Sequence, residues 1–322
     1  MKQSSEIINN YISYALNVQG RSRLTCAKYR NDLENFLKYL LVKKKGYEHG
    51  DEIDLSEADL RFIRSIRSSD IYDYLLYNAI DLENMPATRA RHLSSIKSFF
   101  RFLTNKEKVL DENPAVNIDA PSVKNKLPKY MSLDECIALL EAIRTSNQQY
   151  RVRDYAIVTL FLNCGMRLSE LVNINFSDIE SDMSKLKVTG KGSKERVIYL
   201  NDACRDALNE YIEFRSAEHS KDSDALFISR NSRRVSNSTV QKMLEKYLIL
   251  SGLSKRGYSV HKLRHTAATL MYSTGKVDIR VLKDILGHEQ LNTTQIYTHI
   301  SDKSMEDAVN SNPLSNIKKI KK

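Results

Sequence analysis

Apolar residues recur at helical spacing through most of this chain, and strict alternation is confined to one short stretch. Ile7, Ile8, Tyr11, Ile12 and Ala15 fall on one stripe. Tyr29, Leu33, Phe36, Leu37 and Leu40 form another, in a longer run that stops before Gly46. Ser69 is placed to cap a helix over residues 70–79, and a further helix begins near Pro86 and Thr88 and ends about Leu103. The first 105 residues therefore read as helical throughout, and Asn113-Pro114 breaks the pattern. Pro121 and Pro128, around Lys124 and Lys126, mark a short stiff basic linker over 118–130.

Beyond the linker, Ser132-Leu-Asp-Glu135 has the form of a capping box and opens a new helix. Residues 151–165 form a second helix, and the dense apolar run 156–162 within it is too short to cross a bilayer and reads as buried. Lys185–Thr189 and 196–200 alternate about Gly190-Lys-Gly-Ser193, the signature of a hairpin. Helices follow near 202–217, 237–251, 262–274, 278–286 and 301–310. The pattern predicts a mainly α protein with a small antiparallel β-sheet. Four segments are expected: a helical domain over 1–117, the linker, a mixed domain over 131–312, and a basic tail over 313–322.

Composition adds little to that picture, but charge does. The chain has 322 residues, 41% hydrophobic and 28% charged, the balance of an ordinary globular protein with room for two cores. No signal-peptide pattern follows Met1, so cytoplasmic residence and no membrane association are expected. The four cysteines show no C-x-x-C spacing, which predicts buried free thiols rather than a zinc site or a disulfide framework. Net charge is +10. Residues 1–120 carry 18 Lys and Arg against 17 Asp and Glu, whereas 121–322 carry 32 against 23. The excess sits in the second part, and a basic surface there favours polyanions.

Three motifs in that second part carry unusual chemistry. Gly165-Met-Arg-Leu-Ser-Glu170 sets Arg167 at a helix end with Glu170 three residues on, able to orient it. His261-Lys-Leu-Arg-His265 puts His261 and Arg264 on one face of a helix start. His261 and His265 also have H-x-x-x-H spacing, but a zinc protease needs Glu after the first histidine and Lys262 stands there, so no metal is expected. Leu286-Gly-His-Glu-Gln-Leu-Asn-Thr-Thr-Gln-Ile-Tyr297 ends a helix at Gly287, follows it with His288, and supplies a tyrosine nine residues later. Two arginines suit the non-bridging oxygens of a phosphodiester, because a planar guanidinium offers paired N–H donors. A phenol is a weak nucleophile at neutral pH, and flanking guanidiniums favour its phenolate. Lys191, between glycines at the hairpin tip, reads by itself as a turn residue.

Taken together and in this order, these motifs resemble the tyrosine recombinases of the phage-integrase family, the Xer-type enzymes in particular. The N-terminal part, including Pro86-Ala-Thr-Arg-Ala-Arg-His-Leu-Ser-Ser-Ile-Lys-Ser-Phe-Phe-Arg-Phe-Leu103, looks like their helical core-binding domain. The resemblance implies a two-domain clamp on double-stranded DNA, with a helical core-binding domain and a mixed catalytic domain. It makes Arg167 and Arg264 the phosphate-clamping arginines, Lys191 the hairpin lysine, His261 and His288 the active-site histidines, and Tyr297 the nucleophile. It implies a 3′-phosphotyrosyl link, no cofactor, and a tetramer on two sites, built from this chain alone or with a second recombinase. Chromosome or plasmid dimer resolution is the expected role. The alternatives are a mobile-element integrase, a type IB topoisomerase and a non-catalytic DNA-binding relative. On the helix over 88–103, Leu93, Ile96, Phe100 and Leu103 face the core. Arg91, Ser94, Ser98 and Arg101 on the other stripe are the expected DNA contacts, against the simpler reading of a solvated face.

Overall fold

Two compact units divide the chain near Asn125. The structure is a computed structural model, and it describes residues 5–47, 52–122, 129–190, 195–216, 224–275 and 277–287. In the first unit the predicted stripes form helices α1 (Glu6–Asn17), α2 (Arg23–Lys45), α4 (Ser68–Ile80) and α5 (Pro86–Asn105), with a short helix α3 (Leu60–Arg64) between α2 and α4. Gly46 ends α2 in the left-handed conformation, with Lys43, Lys44 and Lys45 in the last turn, where positive charge complements the exposed carbonyls. Pro86 occupies the first turn of α5, where its missing N–H costs nothing. Ser69 does not cap α4: the helix starts at Ser68, two residues before the expected start at Asp70, and the Asp70 carboxylate accepts the Arg67 N–H at 2.8 Å.

The first core is built where α1, α2, α4 and α5 meet. Ile8, Tyr11, Leu33, Phe36, Leu37, Leu93, Ile96 and Phe100 are all fully buried in it, and Ala115 and Ile118 pack there too. The Tyr11 ring meets Phe99 edge-on, and its hydroxyl donates to Ser98 Oγ at 2.7 Å. Burial pushes that phenol up to about 12.

The second unit opens with α6 (Leu133–Arg144). Its capping box is formed: Ser132 Oγ accepts from the Glu135 N–H, and the Glu135 carboxylate accepts from the Ser132 N–H. Helix α7 (Arg151–Cys164) is buried nearly all round and packs against α6, α9 (Asp202–Ser216) and α11 (Val260–Ser273). Such a helix tolerates polar residues only when they are satisfied. Arg153 and Asp154 meet that condition: they pair at 2.6 Å, Arg153 donates to the Ile228 carbonyl, and Tyr247 on α10 (Asn237–Leu250) donates to Asp154 at 3.1 Å.

A five-residue helix α8 (Leu168–Val172) follows α7 directly. Strands β1 (Lys185–Thr189) and β2 (Glu195–Tyr199) pair antiparallel, with Lys187 opposite Val197 at the centre of the ladder. Leu186, Val188 and Ile198 face the second core. Helix α12 (Ile279–Leu286) is capped by Asp278 and is the last described element. The expected helix over 301–310 and the tail over 313–322 lie outside the described residues. The four cysteines are buried and unbridged. Among the described residues, no helix is long and apolar enough to cross a membrane.

Candidate active site

The site is assembled where α7, α8, α11, β2 and the end of α12 meet in the second unit. Gly165 ends α7 at a φ of 58°. A Cβ there would lie 2.9 Å from Leu286 Cδ2 and 3.5 Å from Ala267 Cβ, so both the backbone angle and the close seating of α12 call for glycine. Its free carbonyl accepts from Arg264 Nη1 at 2.7 Å. Arg264 stands one turn after His261 on α11 and is only 3% exposed. Its Nη2 donates to the Leu286 carbonyl at 2.6 Å.

Arg167 caps the start of α8. Its backbone N–H donates to Glu170 Oε2 at 2.7 Å, its Nη1 to Glu170 Oε1 at 2.8 Å, and its Nη2 to the Gly287 carbonyl at 2.7 Å. Its side chain keeps 36% exposure, whereas the Glu170 carboxylate has none. Burial alone would raise the Glu170 carboxyl. Hydrogen bonds from the Arg196 side chain and from the backbone and side chain of Arg167, with the charge of Arg196, outweigh burial and hold it below the usual carboxylate range. The ionised form of Glu170 is thus favoured, and its carboxylate holds the Arg167 guanidinium.

His261 and His265 lie one turn apart with their Nε2 atoms at 3.2 Å, so one ring donates and the other accepts. Partial burial, with the charges of Arg264, Lys262 and Arg167, holds His261 below its ordinary pKa. For His265, burial comes first and the charges of His261, Lys262 and Arg264 follow, taking it down to about 4. Both rings are therefore neutral near pH 7. Among the described residues, no group of three or more potential ligands is arranged to hold a metal ion.

Arg167, His261 and Arg264 line one open cleft of about 610 Å³, with Met166, Gln241 and Tyr258 on its wall. The structure therefore brings three of the six predicted active-site residues together with Glu170. Lys191, His288 and Tyr297 lie outside the described residues. In sequence, Lys191 follows the last residue of β1 by two positions, and His288 follows Gly287 directly.

One site residue was missed by sequence reasoning. Arg196, on β2, donates to Glu170 Oε2 at 2.8 Å and, through Nη1, to the Ile285 carbonyl. Its signal was available: strand alternation sets Arg196 on the same side as buried Ile198, an unusual place for a charge.

In the first unit, Arg91, Ser94 and Arg101 are exposed on α5, as the opposite stripe predicts, while Ser98 is half-buried beneath the Tyr11 hydroxyl. Arg91 is not a lone surface cation. Its Nη1 donates to both oxygens of Asp32, a fully buried carboxylate on α2 that also accepts from Ser95 Oγ at 2.7 Å.

The model of the phage integrase family matches residues 129–304, and that of the phage integrase N-terminal SAM-like domain matches 8–107. The chain belongs to the phage integrase family. Tyrosine recombinase XerC of Caldanaerobacter subterraneus subsp. tengcongensis is 45% identical over 96% of this chain and 87% of its own length. Tyrosine recombinase XerD of Oceanobacillus iheyensis is 33% identical over 94% and 97%. These relatives make this phage integrase family member a Xer-type tyrosine recombinase. The XerH site-specific recombinase, solved on a palindromic difH substrate in a post-cleavage complex, has the same fold at a TM-score of 0.69. It is 20% identical and covers 97% of this chain and 99% of that one.

Proposed function

We propose that this site-specific recombinase cuts and rejoins duplex DNA through Tyr297. The observation that carries the reading is the convergence of Arg167 and Arg264, from different helices, on one cleft beside His261. Both guanidiniums are held rigidly there before any substrate arrives, as a phosphate clamp requires. The tyrosine Oη attacks the scissile phosphorus and the bond from phosphorus to the 5′-oxygen breaks. A 3′-phosphotyrosyl link forms, and the departing oxygen leaves as a 5′-hydroxyl. The two arginines neutralise charge growing on the non-bridging oxygens. His261 and His288 donate to or steady the same phosphate, and Lys191 supplies the proton to the leaving oxygen. The 5′-hydroxyl of a partner strand then attacks the phosphotyrosine, the tyrosine leaves, and a Holliday junction results. One phosphoester is exchanged for another at each step, so the ester energy is conserved.

The DNA-bound partners of its structural neighbours support duplex DNA as this chain's partner. On the same reading Arg91, Ser94, Ser98 and Arg101 meet the DNA backbone or bases, four copies assemble on two sites, and the cytoplasm is the working compartment. Resolution of chromosome or plasmid dimers is the biological role. The test is a covalent adduct. The wild-type protein first selects its site from a random-sequence duplex pool, and a nicked duplex carrying that site then traps the phosphotyrosine. Tyr297→Phe keeps DNA affinity and gives no adduct; Arg167→Ala and Arg264→Ala each slow adduct formation on the order of a hundredfold. An adduct that persists in Tyr297→Phe moves the nucleophile to another side chain.

A further inference from the structure

Three successive carbonyls at the end of α12 are each taken by a different arginine. Arg196 donates to Ile285, Arg264 to Leu286 and Arg167 to Gly287. The last carbonyls of a helix have no partner within it and carry its negative partial charge, so three cations there satisfy both needs. Two of these arginines belong to the proposed phosphate clamp. Arg196 does not, yet it is the one that joins the parts. Its Nη2 holds the Glu170 oxygen that also accepts the Arg167 backbone N–H, and its Nη1 holds the α12 terminus. Its stem lies against Gly287, where a Cβ would come within 2.9 Å of Arg196 Cδ and 3.6 Å of Arg167 Nη1. The side chain is 14% exposed, and its Nε is buried with no hydrogen-bond partner among the described residues. A guanidinium this enclosed is poorly placed to meet DNA phosphate itself.

We propose that Arg196 is a positioning residue for strand cleavage: it acts through Glu170 and the Ile285 carbonyl to fix Arg167 and the end of α12 relative to each other. This rests on the proposed recombinase chemistry. Lys191 lies five residues before Arg196, and Tyr297 ten residues after Gly287. The guanidinium therefore anchors β2, the strand after the lysine, to the helix end that precedes the nucleophile. An error of about 1 Å in such an arrangement costs roughly a hundredfold in rate.

The test measures single-turnover adduct formation on the selected nicked duplex for wild type, Arg196→Gln, Glu170→Gln and the double variant. Arg196→Gln is expected to cleave roughly 10- to 100-fold more slowly, the scale of losing an orienting partner, with DNA affinity within about threefold of wild type. The double variant is expected to be no slower than the slower single variant, because both changes break one path. The charged groups that face the Glu170 carboxylate are Arg167 and Arg196. Removing Arg196 therefore raises its pKa and moves the acid limb of the cleavage profile to higher pH, a shift absent when Glu170→Gln is also present. A stability loss alone moves neither the affinity-to-rate split nor that limb. Should Arg196→Gln fail to fold, Arg196→Lys serves with the same readouts, since one ammonium on a shorter fork cannot bridge both acceptors. Wild-type rates in the variant, a rate loss matched by lost DNA affinity, or multiplicative losses in the double variant would each overturn the assignment. If the wild-type protein itself forms no adduct, the recombinase chemistry falls and this inference with it.

Discussion

His265 contacts His261 at the active site and makes that site sensitive to acid. Its folded pKa is about 4, against about 6.5 for an unperturbed imidazole. Between those values the unfolded chain binds the proton and the folded chain does not, so stability falls as pH drops through that window and is restored above it. The melting temperature should therefore fall between pH 6.5 and 4, and His265→Asn should flatten part of that fall. An unchanged pH dependence in the variant would place the sensitivity in other groups. The arginines show a different kind of residue-scale logic. Arg167 and Glu170 were legible because their partnership is local, three residues apart on a helix start. Strand alternation marks Arg196 as facing inward, but its two acceptors were not legible, because they lie 26 and 89 positions away and only the folded chain brings them to it.

At the scale of elements, helix α5 separates two jobs that its sequence presents as one stripe. Arg101 is exposed and stands on the surface, while Arg91 also neutralises the buried Asp32 carboxylate 59 positions earlier. The two arginines should therefore respond differently to truncation. Arg101→Ala is expected to leave stability unchanged and to lower the log–log salt slope of DNA binding by about one unit, the signature of one lost phosphate contact. Arg91→Ala is expected to lower the slope too, and in addition to destabilise the protein by about 1.5–3 kcal/mol, because a buried anion loses its charged partner. Urea unfolding beside salt-dependent binding separates the effects. Equal stability in both variants would mean that Ser95, with His92 Nε2 at 3.6 Å from Asp32 Oδ1, satisfies Asp32 unaided, and unchanged slopes would return the stripe to a solvated face. Long elements with clear ends were readable throughout: Gly46, Gly165 and Gly287 each stop a helix where the apolar stripe stops. Helices α3 and α8 were not, since five residues are too few to show a 3.6-residue period. The misplaced start of α4 has a local cause: Ser68, Ser69 and Asp70 all favour a helix N-terminus, and only packing chooses among them.

At the scale of the whole molecule, the number of nucleophiles separates recombination from simple nicking and closing. Each chain carries one Tyr297 and can open one strand. A type IB topoisomerase shares the phosphotyrosyl step but needs no more than that, because rotation about the intact strand relaxes a supercoil. Exchanging two duplexes takes four strand cuts, so the proposed recombination calls for four active copies in one synapse, a closed assembly of the kind homo-oligomers favour. Mixing wild type with Tyr297→Phe at constant total protein distinguishes these cases, provided the two bind DNA equally. With half of the copies inactive, recombination between two selected sites on one plasmid should fall to about one-sixteenth, since all four positions of a tetramer must be active. Single-strand adduct formation in the same mixture should fall only to about half, because each copy then acts alone. A recombination yield that declines in direct proportion to the active fraction would mean that one chain performs the whole reaction, and the tetrameric synapse would have to be given up.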